Sequence, residues 1–170
     1  EDDFMEHMFV ASTHDYILIF TDKGRCYWLK VHEIPEAGRM AKGKSINNLI
    51  TKAPEENISA FIGVKEFDDK HCVLMVTQLG MIKKVVLSDF SNPRKSGIVA
   101  MGLKKNDILK DVKLTDGTCD IVIGTHEGMA IRFHEKEARA MGRGASGVRG
   151  IRLAKKDKVV WLVTLKRKGT

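Results

Sequence analysis

The sequence predicts an all-β fold of propeller-like, four-stranded blades, and three observations carry that expectation. First, an apolar strand ending in Thr-x-x-Gly occurs three times, at Tyr16–Gly24, Cys72–Gly80 and Asp120–Gly128, with the glycines 56 and 48 residues apart. Second, a β-like run follows each glycine, and one further short strand precedes and one follows each pair. Third, no segment combines helical periodicity with the length of an ordinary helix. Repeats of roughly 40 to 50 residues with four strands apiece suit radial blades, each burying its faces on its neighbours. A β-sandwich is disfavoured by the repeat itself.

Taken in order, unit one comprises Met5–Ser12, the pair Tyr16–Gly24 and Arg25–Val31, and Ser45–Ile50. Unit two comprises Ile58–Val64, the pair Cys72–Gly80 and Met81–Leu87, and Ile98–Leu103. Unit three comprises Ile108–Leu114, the pair Asp120–Gly128 and Met129–Phe133, and Gly150–Leu153. Val159–Leu165 reads as the first strand of a fourth unit. Strand, tight turn and strand make a β-hairpin, with glycine supplying the positive φ of the turn. The unit boundaries fall at about 3–56, 57–106, 107–156 and an incomplete 157–170, a partial wheel that reads as cut from a longer array. Ile34–Gly38 and His134–Met141 can form only short helical turns, because glycine ends each one quickly.

The chain of 170 residues fits one domain, and 43% hydrophobic with 30% charged residues is ordinary for a soluble protein. No apolar run approaches the roughly 18 residues of a membrane span, and Glu1-Asp2-Asp3 lacks the character of a signal peptide. A cytoplasmic location is expected. Cys26, Cys72 and Cys119 are odd in number and far apart, which reads as reduced thiols without a metal or disulfide framework.

Catalytic and metal patterns are weak. None of His7, His14, His32, His71, His126 and His134 has a Cys or second His at zinc-finger spacing, so no metal is expected, and His126 and His134 read as exposed turn histidines. Gly38–Ser45 formally matches the phosphate-loop pattern Gly-x-x-x-x-Gly-Lys-Ser, but no strand precedes it and no long helix follows. Gly142–Gly150 lacks the same context. Nothing suggests paired catalytic carboxylates, so no active site is assigned.

Charge is more informative. The formal net charge is +7, and from Arg139 onward ten Lys/Arg face a single acid, Asp157. Between the third and fourth strands of each unit lies a loop mixing Arg/Lys with Gly and Ser: Gly38–Ser45 with Arg39, Lys42 and Lys44; Asn92–Gly97 with Arg94 and Lys95; and Gly142–Gly150 with Arg143 and Arg149, followed by Arg152. Glycine lets backbone N–H groups approach a phosphate while Arg and Lys neutralise it. Matched loops on successive blades would lie along one rim, and DNA following that arc must bend. The hairpins add Lys23, Arg25, Lys83, Lys84 and Arg132; Lys84 and Arg132 share one place, which in unit one is Trp28. Aromatics make up only 6% and none sits in a basic loop, so duplex bound through phosphates is favoured over single strands.

The sequence resembles the C-terminal domain family of the A subunit of bacterial DNA gyrase, a β-pinwheel. The resemblance rests on Phe9–Tyr16, Lys23–Lys30, Glu33–Arg39, Phe90–Arg94, Gly128–Phe133, Met141–Arg143 and Gly147–Arg152. It implies a non-catalytic DNA-wrapping module of an ATP-dependent type II topoisomerase that introduces negative supercoils. It further implies no cofactor in the module itself, with ATP and magnesium in the parent enzyme. The partners it implies are the gyrase B subunit, the remainder of the gyrase A subunit, and double-stranded DNA, at a nucleoid-associated location. The family's box of the form Gln-Arg-Arg-Gly-Gly-Lys-Gly is absent, as if this fragment follows the first blade. A topoisomerase IV counterpart and a propeller-type protein scaffold are the alternatives.

Overall fold

A computed structural model of the chain describes residues 16–30 and 55–166. Among the described residues, eleven strands lie in three sheets. In chain order they are β1 (Tyr16–Thr21), β2 (Arg25–Lys30), β3 (Ile58–Val64), β4 (Cys72–Thr77), β5 (Met81–Val86), β6 (Ile98–Val99), β7 (Leu109–Thr115), β8 (Cys119–Thr125), β9 (Ala130–His134), β10 (Val148–Arg149) and β11 (Val159–Lys166). The sheet orders are β3-β1-β2-β6, β10-β5-β4-β7 and β11-β8-β9, with every strand pair antiparallel. This is the all-β architecture the repeat predicts, with two four-stranded sheets and one of three strands, and among the described residues helical structure is confined to 3-10 turns at Leu87–Phe90 and Glu135–Glu137.

The sheets and the sequence units are out of phase. The hairpin of unit one is flanked by β3 and β6, both from unit two. The hairpin of unit two is flanked by β7 and β10, both from unit three, and β11 joins the hairpin β8–β9. Each blade is thus closed by its successor in sequence. β3 neighbours β7, and β7 neighbours β11, so these strands join one sheet to the next.

Burial explains the apolar runs. In β4, Val73 and Met75 enter the core shared with the first sheet, while Leu74 and Val76 enter the core shared with the third. Both faces of the middle sheet are covered, so β4 is apolar throughout instead of alternating. The 3-10 turn after β5 drops Leu87 and Phe90 into the first core, where Phe90 meets Phe20 edge-on at 5.9 Å.

The Thr-x-x-Gly signature has a direct structural meaning. Thr77 Oγ1 accepts the Met81 N–H at 3.1 Å, and Thr125 Oγ1 accepts that of Met129 at 3.1 Å. Gly80 takes φ +92°, and a Cβ there would lie 2.7 Å from the Ile151 carbonyl oxygen, so conformation and space both require glycine. The turn is also fastened across the blade: the Asp107 carboxylate accepts from the Leu79 N–H (3.0 Å) and its own neighbour Ile108 (2.9 Å). Asp157 repeats this on Glu127 (3.0 Å) and Lys158 (2.8 Å).

Two expectations are corrected. The fourth strand of unit three is Val148–Arg149, not Gly150–Leu153, because Gly80 O already accepts the Gly150 and Ile151 N–H groups at the turn. The run Ile98–Leu103 likewise pairs only through Ile98–Val99, since Gly24 O takes the Ala100 and Met101 N–H groups. Met5–Ser12, Ser45–Ile50 and the turn expected at Ile34–Gly38 lie outside the described residues.

Candidate nucleic-acid interface

Two of the three basic loops are described, and each sits on the hairpin of the preceding unit. The loop after β5 runs over Ser91–Gly97 and exposes Arg94 and Lys95. Its backbone is held by unit one: Arg25 Nη2 donates to Ser96 O (2.6 Å) and Gly97 O (3.3 Å), and Trp28 Nε1 donates to Phe90 O (2.8 Å). The loop after β9 is held by unit two. Lys84 Nζ donates to Glu135 O (3.0 Å), Lys83 Nζ donates to Arg143 O, and the Met141 N–H donates to Lys84 O (2.9 Å).

The segment after β6 meets the second loop, where the Gly102 N–H donates to Ala145 O at 3.1 Å, and a groove lined by Ser88, Asp89, Asn92, Val99, Arg143 and Gly144 lies between unit two and that loop. Arg143 is partly exposed there, while Arg149 on β10 and Arg152 beyond it are exposed. Gly147, at φ +84°, lets the chain turn into β10, and a Cβ would lie 2.3 Å from Ile82 O. Exposed guanidinium and ammonium groups beside glycine backbone, with the Ser96, Gly97 and Arg143 carbonyls turned to the hairpins, form a surface suited to anions.

Lys83 and Lys84, expected among the phosphate contacts, are not on this surface. Their residues are 1% and 9% exposed. Lys83 Nζ also donates to Ala100 O (2.9 Å), and Lys84 Nζ lies 3.9 Å from the fully buried Glu135 carboxylate. Burial, reinforced by the Arg143 guanidinium, pushes Lys83 down to about 8. Sequence spacing placed both on a β-hairpin but could not show that the next unit covers that face. Arg132, at the same place in unit three, is exposed and pairs with Asp120 through Nε and Nη2, both at 2.9 Å. Arg39, Lys42 and Lys44, and the phosphate-loop-like segment around them, lie outside the described residues. Exposed Lys104 and Lys105 were missed, although they stand one unit ahead of Ala154 and Lys155, in the turn before Asp107.

The remaining chemistry is structural. Among the described residues, Asp116, Cys119 and Glu135 bring metal-type donor atoms within 4.8 Å of one another. Hydrogen bonds from the Thr118 hydroxyl (2.6 Å) and N–H (3.0 Å) hold the Asp116 carboxyl down to about 2. Glu135 accepts the Cys119 N–H at 2.8 Å and faces Lys84, so these carboxylates already have partners. Burial raises the Cys26, Cys72 and Cys119 thiols, which disfavours the thiolate a nucleophile needs. His126 is exposed at its turn, whereas His134 is half-buried and accepts the Lys136 N–H at 3.1 Å. Gly142–Gly150 leads into β10, not into a helix.

The family model described as "DNA gyrase C-terminal domain, beta-propeller" matches residues 15–62, 73–116 and 120–166. The DNA gyrase A subunit of Clostridium acetobutylicum is 50% identical over 150 residues, covering 88% of this chain and 18% of that protein. The DNA gyrase A subunit of Salmonella typhimurium is 44% identical over 169 residues, covering 99% of this chain and 19% of that protein. The chain therefore spans about a fifth of the curated relatives it matches. Among solved structures, the C-terminal domain of DNA topoisomerase IV aligns with TM-score 0.83 and 34% identity over 92% of this chain and 49% of that one. A DNA gyrase A C-terminal domain aligns with TM-score 0.74 and 24% identity over 89% of this chain and 48% of that one. Among the described residues, no helix is long and apolar enough to cross a membrane.

Proposed function

The chain belongs to the DNA gyrase C-terminal β-propeller family, and from that premise we propose that it is a non-catalytic module of the gyrase A subunit that bends duplex DNA along a basic outer rim. The observation that carries this reading is the succession of basic loops, with Arg94 and Lys95 exposed on one, Arg143 lining the groove beside the next, and Arg149 and Arg152 exposed beyond it. Phosphates spaced along a duplex match cations spaced blade by blade. With no recognition helix among the described residues, sequence preference comes from the deformability of the DNA and not from base contacts. In the whole protein the module supports negative supercoiling, a reaction that uses ATP and magnesium. It does so with the rest of its own polypeptide and the gyrase B subunit, in the bacterial cytoplasm at the nucleoid. The one-domain reading with units near 3–56, 57–106, 107–156 and 157–170 belongs to this proposal.

A second reading, the corresponding domain of topoisomerase IV, is favoured by the TM-score of 0.83. The relatives over nearly the whole chain carry the gyrase name, which weighs the other way.

Salt titration of duplex binding tests the rim. If several phosphates are neutralised, log affinity falls linearly with log salt, by a slope of about 0.9 per contact. Replacing Arg39, Arg94 and Arg143 together by Ala lowers affinity, slope and bending at once. Unchanged binding by the folded triple variant places the contact elsewhere.

A further inference from the structure

We propose that each of the first two hairpins clamps the phosphate-facing loop of the next unit through side-chain N–H donors to that loop's backbone carbonyls, so that Arg25, Trp28, Lys83 and Lys84 position the cations without contacting DNA. The proposal rests on the DNA-binding reading for its consequence, but the clamp itself is geometric.

Two hairpins hold two loops in the same direction, from one unit to its successor. Arg25 and Trp28 of unit one take the carbonyls of Ser96, Gly97 and Phe90. Lys83 and Lys84 of unit two take those of Arg143 and Glu135. Trp28 and Lys84 stand at one repeat position, four residues past the hairpin glycine. One is neutral and aromatic, the other a flexible cation. What they share is an N–H that reaches the next unit's loop whatever its charge; the charge of Lys84 answers the buried Glu135 carboxylate, and Arg132 at the same place turns instead to Asp120 of its own hairpin. A phosphate role would vanish at Trp28, whereas the clamp persists.

Burial points the same way. An ammonium as enclosed as that of Lys83 is stable only because carbonyl oxygens replace its water. It has no path to a phosphate. The clamp also shapes the rim, because drawing these carbonyls toward the hairpins leaves the side-chain cations of the loop for the outer face. Each contact loop is thereby registered to the preceding sheet, and the spacing of successive phosphate sites follows from blade packing.

Hydrogen exchange and duplex binding on the 170-residue chain test this with Trp28→Phe, Lys83→Met and Lys83→Gln. Trp28→Phe keeps the ring and deletes the donor. The Gly97 and Ser91 amides, which close the unit-two loop, exchange about fivefold faster, the factor expected for one net hydrogen bond. In Lys83→Met the Gly102 and Ala145 amides do so. Duplex affinity falls by a similar factor in each, while the log–log salt slope stays unchanged. Lys83→Gln, with N–H donors but no charge, recovers both readouts in part. Unaltered exchange at these amides in the DNA-free chain overturns the clamp. A salt slope shallower by about 0.9 in both Lys83 variants also overturns it, because that marks a direct phosphate contact. Global unfolding of the Lys83 variants leaves the decision to Trp28→Phe. If the unsubstituted chain binds duplex without salt dependence, the DNA reading fails while the exchange result still decides the clamp.

Discussion

Asp107 is the most informative single side chain for the stability of the wheel. Its Oδ1 accepts the N–H groups of Leu79 (3.0 Å) and Ile108 (2.9 Å), the residue is 8% exposed, and it ties the turn of one hairpin to the edge of β7. Asp107→Ala removes the acceptor of both bonds and leaves two part-buried backbone donors. At about 1 to 1.5 kcal/mol per hydrogen bond, the expected loss is about 2 to 3 kcal/mol. Asp107→Asn retains an acceptor oxygen and costs less than about 1 kcal/mol. Asp157 makes the equivalent pair of bonds in the next sheet, so Asp157→Ala destabilises in the same direction, and the double variant shows the sum of the two single effects if the caps are independent. Urea unfolding at about 25 °C, followed by far-UV circular dichroism and tryptophan fluorescence, measures all of these variants. An Asp107→Ala loss below about 0.5 kcal/mol, or an Asn variant as damaged as the Ala variant, refutes the capping argument.

Gly147→Ala combines a left-handed backbone with a Cβ 2.3 Å from Ile82 O, so β10 must part from β5; a loss of at least about 2 kcal/mol in urea unfolding is expected, with weaker duplex binding as Arg149 moves. Lys84→Met leaves the buried Glu135 carboxylate without its cation and lowers stability by about 3 kcal/mol; Lys84→Met with Glu135→Gln recovers most of that, as thermal melts will report. Lys83 gives a pH signature. Its folded pKa of about 8 lies below the ordinary 10.5, so between these values the unfolded chain binds more protons than the folded one. Stability therefore rises with pH across that window by at most about 3 kcal/mol relative to Lys83→Met, and runs parallel to it below pH 8 and above pH 10.5. A flat difference curve from urea midpoints contradicts the assignment.

The amino-acid sequence alone determined what depends on near neighbours. Thr-x-x-Gly located the three hairpin turns because the positive φ of glycine acts at all three and the Thr hydroxyl caps the second and third within four residues. Ile58–Val64 matched β3 end to end, and Arg94, Lys95, Arg149 and Arg152 were legible as exposed because polar loops offered them no local partner. Only the tertiary structure decided where each strand went and which cations stayed at the surface. A period-two pattern shows that a strand has two faces, but not that both are covered. The middle blade is covered on both, which turned Lys83 and Lys84 from expected phosphate contacts into buried donors. Nor could strand order along the chain reveal that β3 and β6 close the preceding hairpin, because that pairing is settled by which sheet edge lies nearest once the blades pack.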